Sequence, residues 1–214
     1  MNNLMDRLEE LAERIHQSLE SRTIARDNAL SQARTLTRHC ANAIRAIHRE
    51  ENDLAQVHIS EGRQIVDALR NNLAGYPELF FAGYTQDALK EFAEANIVYA
   101  LINDHPLPSP QDLGLENATY LQGLAESVGE LRRRCLDILL HGHSQKAERL
   151  LEHMDDIYSI LVTMDYPDAI TGGLRRLTDI VRSITERTRG DMTISLRQEN
   201  LEQSLQDLKS RLDE

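Results

Sequence analysis

Strand signals are missing from this chain, and glycine and proline, the strongest chain breakers, are few. There is no tryptophan, phenylalanine occurs three times, and glycine and proline number ten and five in 214 residues. No segment shows the alternating pattern of a strand, which removes the sheet classes. The two cysteines, Cys40 and Cys135, lie inside helical patterns without CxxC spacing. They read as small core residues of a reducing compartment and argue against a structural zinc site. No apolar run reaches the roughly 20 residues of a membrane span. The start, Met1-Asn2-Asn3-Leu4-Met5-Asp6, has no basic segment leading into an apolar one. A soluble, cytoplasmic protein without a membrane partner is expected.

What is present is helix-forming. Leucine, alanine, isoleucine, glutamate and arginine dominate, and 41% apolar with 28% charged residues is a globular balance. The length suits one domain over residues 1–214, and no linker or repeat divides it. A formal net charge of −11 argues against a general nucleic-acid coat and leaves room only for a locally basic stripe.

The periodicity predicts seven helices with short connections, an all-α bundle. Leu4, Leu8, Leu11, Ile15 and Leu19 recur at three and four residues, and a second apolar phase runs through Ala29, Leu36, Cys40, Ala43, Ile44 and Ile47. No breaker parts the two phases, so one long helix is possible. A helix from about Asp53 to Leu73 stops at Gly75-Tyr76-Pro77, and another spans roughly 78–103. His105-Pro106-Leu107-Pro108-Ser109-Pro110 is a loop. Helices follow over about 116–140, about 144–164 with Ser144 as cap, and from Pro167 to about Arg189 with Gly172-Gly173 inside. Gly190-Asp191 restarts a last, polar-rich helix, Met192 to Leu212, expected to be exposed or partner-bound.

Glu91-Phe92-Ala93-Glu94 carries the sharpest chemical signal. At about 100° per residue the two glutamates share a helix face with Val98, on a helix that is apolar nearly all the way round. Two acids buried side by side repel and lose hydration unless a proton, a cation or a metal lies between them. A second pair, Glu126 and Glu130, stands beside Gly123 and Gly129 on the helix after the proline loop, off its stripe of Leu121, Leu124, Val128, Leu131 and Cys135. Such a pair also suits a solvated face. If the two helices pack antiparallel, four carboxylates converge, and an oxygen-only set without histidine favours Mg²⁺ or Mn²⁺ and phosphodiester cleavage.

Arg34, Arg38, Arg45 and Arg49 fall within about 60° on the helical wheel, with His48 beside them. They form a strip suited to phosphates, or a solvated face paired with neighbouring acids. No aromatic residue interleaves with them, so backbone contacts rather than base stacking are expected. The histidines otherwise fall singly, and His141-Gly142-His143 reads as a helix end. No Ser/His/Asp arrangement, phosphate-cradling loop, dinucleotide fingerprint or ExxH pair of a di-iron bundle is present.

Three motifs in order resemble the translin family. They are Glu91-Phe92-Ala93-Glu94-Ala95; Tyr120-Leu121-x-Gly123-Leu124-Ala125-x-x-x-Gly129-Glu130-Leu131-Arg132-Arg133; and Asp165-Tyr166-Pro167-Asp168 followed by Gly173-Leu174-Arg175-Arg176. The resemblance spans roughly residues 25–192 and is closest to the translin-associated factor X (TRAX) branch in its compact prokaryotic form. It implies a seven-helix subunit of a hollow homo-oligomer, hexamer- or octamer-like, that encloses single-stranded RNA, with a translin-like paralogue as a possible partner. In the catalytic branch, acids on two helices bind Mg²⁺ and cut RNA. Those acids fall on Glu91, Glu94, Glu126 and Glu130; where the branch carries an aspartate, Glu126 is longer by one methylene. The family's nucleic-acid contacts coincide with Arg34, His48 and Arg49, while Arg38 and Arg45 rest on the wheel alone. The expectation is a Mg²⁺-dependent endoribonuclease with Glu91, Glu94 and Glu126 as catalytic ligands. The alternatives are a non-catalytic RNA-binding shell and an all-α nucleoside triphosphate pyrophosphohydrolase. The last also presents an ExxE pair, but usually has a second pair three residues apart rather than four.

Overall fold

The run of helix formers at the amino terminus gives α1, Leu4–His48, 45 residues without a break. It is seen in a computed structural model that describes residues 4–142 and 144–212. The two apolar phases of α1 meet different surroundings. Leu4, Leu8, Leu11, Ile15 and Leu19 are each at least half exposed, whereas Ala29, Ala33, Leu36, Cys40, Ala43, Ile44 and Ile47 are buried. Glu50 turns the chain with a left-handed φ of 62°. Helix α2, Asn52–Asn72, then packs back on the buried half of α1.

Pro77 opens a single turn, α3, Pro77–Phe80, and extended backbone at Ala82 separates it from α4, Gly83–Ile102. The expected helix over 78–103 is therefore split. The break is stable because side chains of α4 take up carbonyls that α3 leaves open. Thr85 Oγ1 donates to the Leu79 carbonyl, and Gln86 Nε2 to that of Phe80, both at 2.8 Å. Within the end of the proline loop Ser109 and Asp112 form a reciprocal capping box that starts α5, Pro110–Leu113. Then come α6, Asn117–Leu139, and α7, Ser144–Val162. His141 Nδ1 donates to the Asp137 carbonyl at 2.9 Å, as a helix-end residue should. His143 and the side-chain cap expected at Ser144 lie outside the described residues.

The carboxyl-terminal third departs from expectation twice. Gly172 and Gly173 do not sit inside a helix: both have positive φ, 57° and 87°, and they separate α8, Asp168–Thr171, from α9, Leu174–Leu212. Gly172 also approaches a neighbour closely: an added Cβ would meet Gln122 Nε2 at 2.6 Å. Gly190-Asp191, by contrast, does not interrupt α9. Glycine in a helix interior costs free energy without forbidding the helix, and Asp191 pairs with Arg132 at 2.8 Å. The described residues thus form six long helices and three single turns rather than seven helices, with no strand among them.

Packing runs in sequence: α1 against α2 and α4, α4 against α6, α6 against α7 and α9, and α7 against α9. Leu36, Val66, Phe92, Ile97, Leu131, Leu150 and Met154 fill one continuous core. Cys40 and Cys135 are free and buried in it. No described helix is long and apolar enough to cross a membrane. Helix α9, like α1, leaves its core: Leu201, Leu205, Leu208 and Leu212 are all exposed.

Candidate functional site

The acidic pair of α4 faces α6, and a glycine decides how close the two helices come. A Cβ at Gly123 would lie 2.6 Å from the Ala93 Cβ, 2.8 Å from the Lys90 carbonyl oxygen and 3.0 Å from the Glu94 nitrogen. With no side chain there, the backbone of α6 rests on the turn of α4 that carries both acids. Gly129 has no such neighbour within 4 Å.

Across this contact Glu126 joins Glu91 and Glu94, and one carboxylate oxygen from each lies within 4.8 Å of the others. Oxygens on opposite sides of one Mg²⁺ stand about 4.2 Å apart, a spacing that the three would reach by a rotamer adjustment. Glu94 is buried, Glu91 and Glu126 half-buried. Burial pushes the Glu94 carboxyl up to about 8, with the charges of Glu91, Glu126 and Glu130 adding to it and Lys90 opposing. Glu91 is raised by the same burial, against the pull of Lys90. The Cys40 thiol lies deep beneath the pair; burial and then the two glutamates push it far above the thiolate range. The donor set, all hard oxygen and partly desolvated, fits a divalent cation of the Mg²⁺ class.

Glu130 stands apart. Its Oε2 accepts from His48 Nε2 at 2.6 Å and lies 3.6 Å from Arg133 Nη1. The hydrogen bond from His48 holds this carboxyl below its usual range, the opposite of Glu94. The three-carboxylate group does not include it. Lys90, one residue from Glu91, places Nζ 2.8 Å from Glu126 Oε1. Sequence reasoning passed over Lys90; its position next to an acid on a helix that must bury charge was the available signal.

The arginine strip divides as well. Arg34, Arg38, Arg45 and Arg49 are exposed and form no ion pair among the described residues, so the face is not neutralised by neighbouring acids. His48 points inward instead, its side chain 4% exposed and bound to Glu130. Its Nδ1 is buried without a partner among the described residues. Beside Arg49 opens a cleft of about 560 Å³ lined by His48, Arg134, His141 and Lys146, with Glu50 and Asp137.

Comparison with known proteins places this architecture. No family model matches the chain. The uncharacterized protein MJ0175 of Methanocaldococcus jannaschii is 33% identical over 189 residues, covering 87% of this chain and 83% of its own. AfC3PO, in its complex with duplex RNA, superposes with a TM-score of 0.79 at 32% identity, covering 88% of this chain and 96% of that one. Apo-NeC3PO, at 20% identity over 91% of this chain and 98% of its own, shares the fold with a TM-score of 0.74. With the Glu91–Glu94, Gly129–Glu130 and Asp165–Asp168 motifs in place on the same all-α framework, the chain belongs to the translin family, among its C3PO-like members.

Proposed function

We propose that this protein is a Mg²⁺- or Mn²⁺-dependent endoribonuclease of the translin-associated factor X type, acting on single-stranded RNA within a homo-oligomeric shell. The observation that carries the reading is the convergence of Glu91, Glu94 and Glu126 from two helices in a partly desolvated contact. Those three would hold the ion, and the chemistry it supplies there is neutralisation of phosphate charge and activation of water. Glu94 retains its proton near neutrality and must give it up to become a ligand, so loading releases a proton. Lys90 neutralises Glu126 until a cation replaces it. Glu130 stays outside this set and fixes His48, which links α1 to α6. The four exposed arginines of α1 hold the RNA backbone as point and fork contacts to phosphate. The leucine stripes that α1 and α9 leave exposed are the surfaces a shell would cover.

The test is cleavage of a single-stranded RNA oligonucleotide with Mg²⁺, run beside a duplex because AfC3PO is found with duplex RNA. Cleavage that disappears in Glu91→Ala, while the variant keeps its helical spectrum, supports the assignment; unchanged cleavage sinks it.

One observation favours a second reading, a non-catalytic RNA-binding shell. Lys90 already supplies the positive charge that the acidic group needs. That reading expects salt-sensitive RNA binding and no cleavage with any divalent ion.

A further inference from the structure

Another cluster of ligating side chains lies between α1 and α2, and neither the acidic site nor the arginine strip uses it. His39 of α1 and His58 of α2 bring their Nδ1 atoms 3.2 Å apart. Glu61, one turn beyond His58 and on the same face of α2, places Oε2 2.9 Å from His39 Nδ1 and 3.5 Å from His58 Nδ1. The two imidazoles are 19% exposed and the carboxylate 47%.

Hydrogen bonds alone give this triangle at most one shared proton for three ligating atoms. If both Nδ1 atoms carry protons, two donors face each other at 3.2 Å. If neither does, three acceptors converge with nothing between them. If only His58 is protonated there, the acceptors His39 Nδ1 and Glu61 Oε2 face each other at 2.9 Å; if only His39 is, its one proton is shared between Glu61 Oε2 and His58 Nδ1, which stand 3.5 Å apart. A cation satisfies all three atoms at once. The dimensions suit one ion in particular. Ligands bound to Zn²⁺ at about 2.0–2.1 Å in a tetrahedron stand about 3.3 Å from one another, and the three edges here are 2.9, 3.2 and 3.5 Å. Two imidazole nitrogens and a carboxylate oxygen are a borderline donor set that prefers Zn²⁺ over the hard Mg²⁺ suited to the carboxylate group.

We infer that His39, His58 and Glu61 form a zinc site that clasps α1 to α2 and leaves the fourth coordination position open on the side of the exposed Glu61. Three protein ligands with one free position are the coordination of a zinc that takes water or a small anionic group. Cysteine takes no part.

The experiment uses the full chain stripped with a chelator and dialysed against zinc in a large excess of Mg²⁺, which competes with zinc for the carboxylate group. One zinc per chain is expected by elemental analysis. His39→Gln and His58→Gln should each weaken it at least about 100-fold, since even outer-shell partners of metal ligands cost 10–100-fold. Glu91→Gln, altered only in the carboxylate group, should keep its zinc. Co²⁺ in place of zinc should give the intense visible bands of tetrahedral coordination. Absence of stoichiometric zinc, or full retention of it by His58→Gln, would overturn the assignment. If a histidine variant fails to fold, the wild-type cobalt spectrum decides: intense tetrahedral bands support the site, and only the faint bands of octahedral cobalt overturn it.

Discussion

The acids of α4 and those of α6 look alike in sequence and live under opposite electrostatics. Glu126 meets the Lys90 ammonium of α4 at 2.8 Å, and Glu130 accepts from His48 of α1 at 2.6 Å with Arg133 Nη1 at 3.6 Å. Glu91 and Glu94 have no hydrogen-bonded cation among the described residues and are pushed upward by burial, Glu94 to about 8. An acid folded together with its counter-charge is complete within the chain. An acid buried without one stores unfavourable energy that a proton or an external cation must relieve. The difference separates the two acids of α4, which lack a counter-charge within the chain, from the two of α6, which carry one.

The largest effect should come from removing an α4 acid. Glu94→Gln is expected to lower RNA cleavage at least about 100-fold, as loss of a direct ligand should exceed loss of an outer-shell one. At pH 8 and above it should also make the metal-free protein more stable, by on the order of a few kcal/mol, because a buried charge disappears. Denaturant titration of wild type and variant with and without Mg²⁺ reads both. A variant that is less stable in the metal-free state would break the comparison.

The next test is pH. Below about 4.5 the Glu94 carboxyl is protonated in both folded and unfolded chains. As pH rises above that, the unfolded chain ionises freely while the folded one keeps its proton up to about 8, so this group's contribution to stability falls across that window and is level beyond it. Divalent cation should flatten the decline and gain affinity over the same range. Melting curves at several pH values check this; a metal-free stability that rises between pH 5 and 8 contradicts it.

Gly123→Ala should cost about 1–3 kcal/mol through overpacking, since the new methyl meets backbone of α4 rather than a flexible side chain. Gly129→Ala, in the same helix with open space around it, should stabilise by about 0.4–1 kcal/mol and serves as the control. Glu130→Gln should cost about 1–3 kcal/mol by weakening the partner of a buried imidazole, while leaving metal affinity nearly unchanged. That outcome sharpens the contrast between Glu130 and Glu94, and a loss of metal binding equal to that of Glu94→Gln would erase it. The smallest effect is expected at the strip, where Arg38→Ala should reduce the salt dependence of RNA binding by about 0.7 in log–log slope and weaken all sequences alike.

The all-α class was legible in composition and period, as were the shared face of Glu91 and Glu94 and the exposed arginines. These follow from angles within one helix. What could not be read were relations between helices. His48 and Glu130 are 82 residues apart, and whether His48 joins its neighbouring arginines or turns to α6 depends on how α1 packs. The same limit hid the histidine triangle: His58 and Glu61 show a helical spacing, but His39 comes from another helix and made each histidine look solitary. The misplaced boundaries had a local cause. Glycines read alike in sequence whether they take left-handed φ, as Gly172 and Gly173 do, or stay helical, as Gly190 does in α9.

The empty position at Gly123 has a mechanical meaning. It sets the gap between two acid-bearing helices as a spacer block sets the jaws of a vice, and a gap fixed by backbone contact does not open to suit what enters. Oxygen shells of Mg²⁺ and Ca²⁺ differ by about 0.3–0.5 Å in radius. The room left for an ion between the two helices would then be bounded by a residue that has no side chain and ligates nothing.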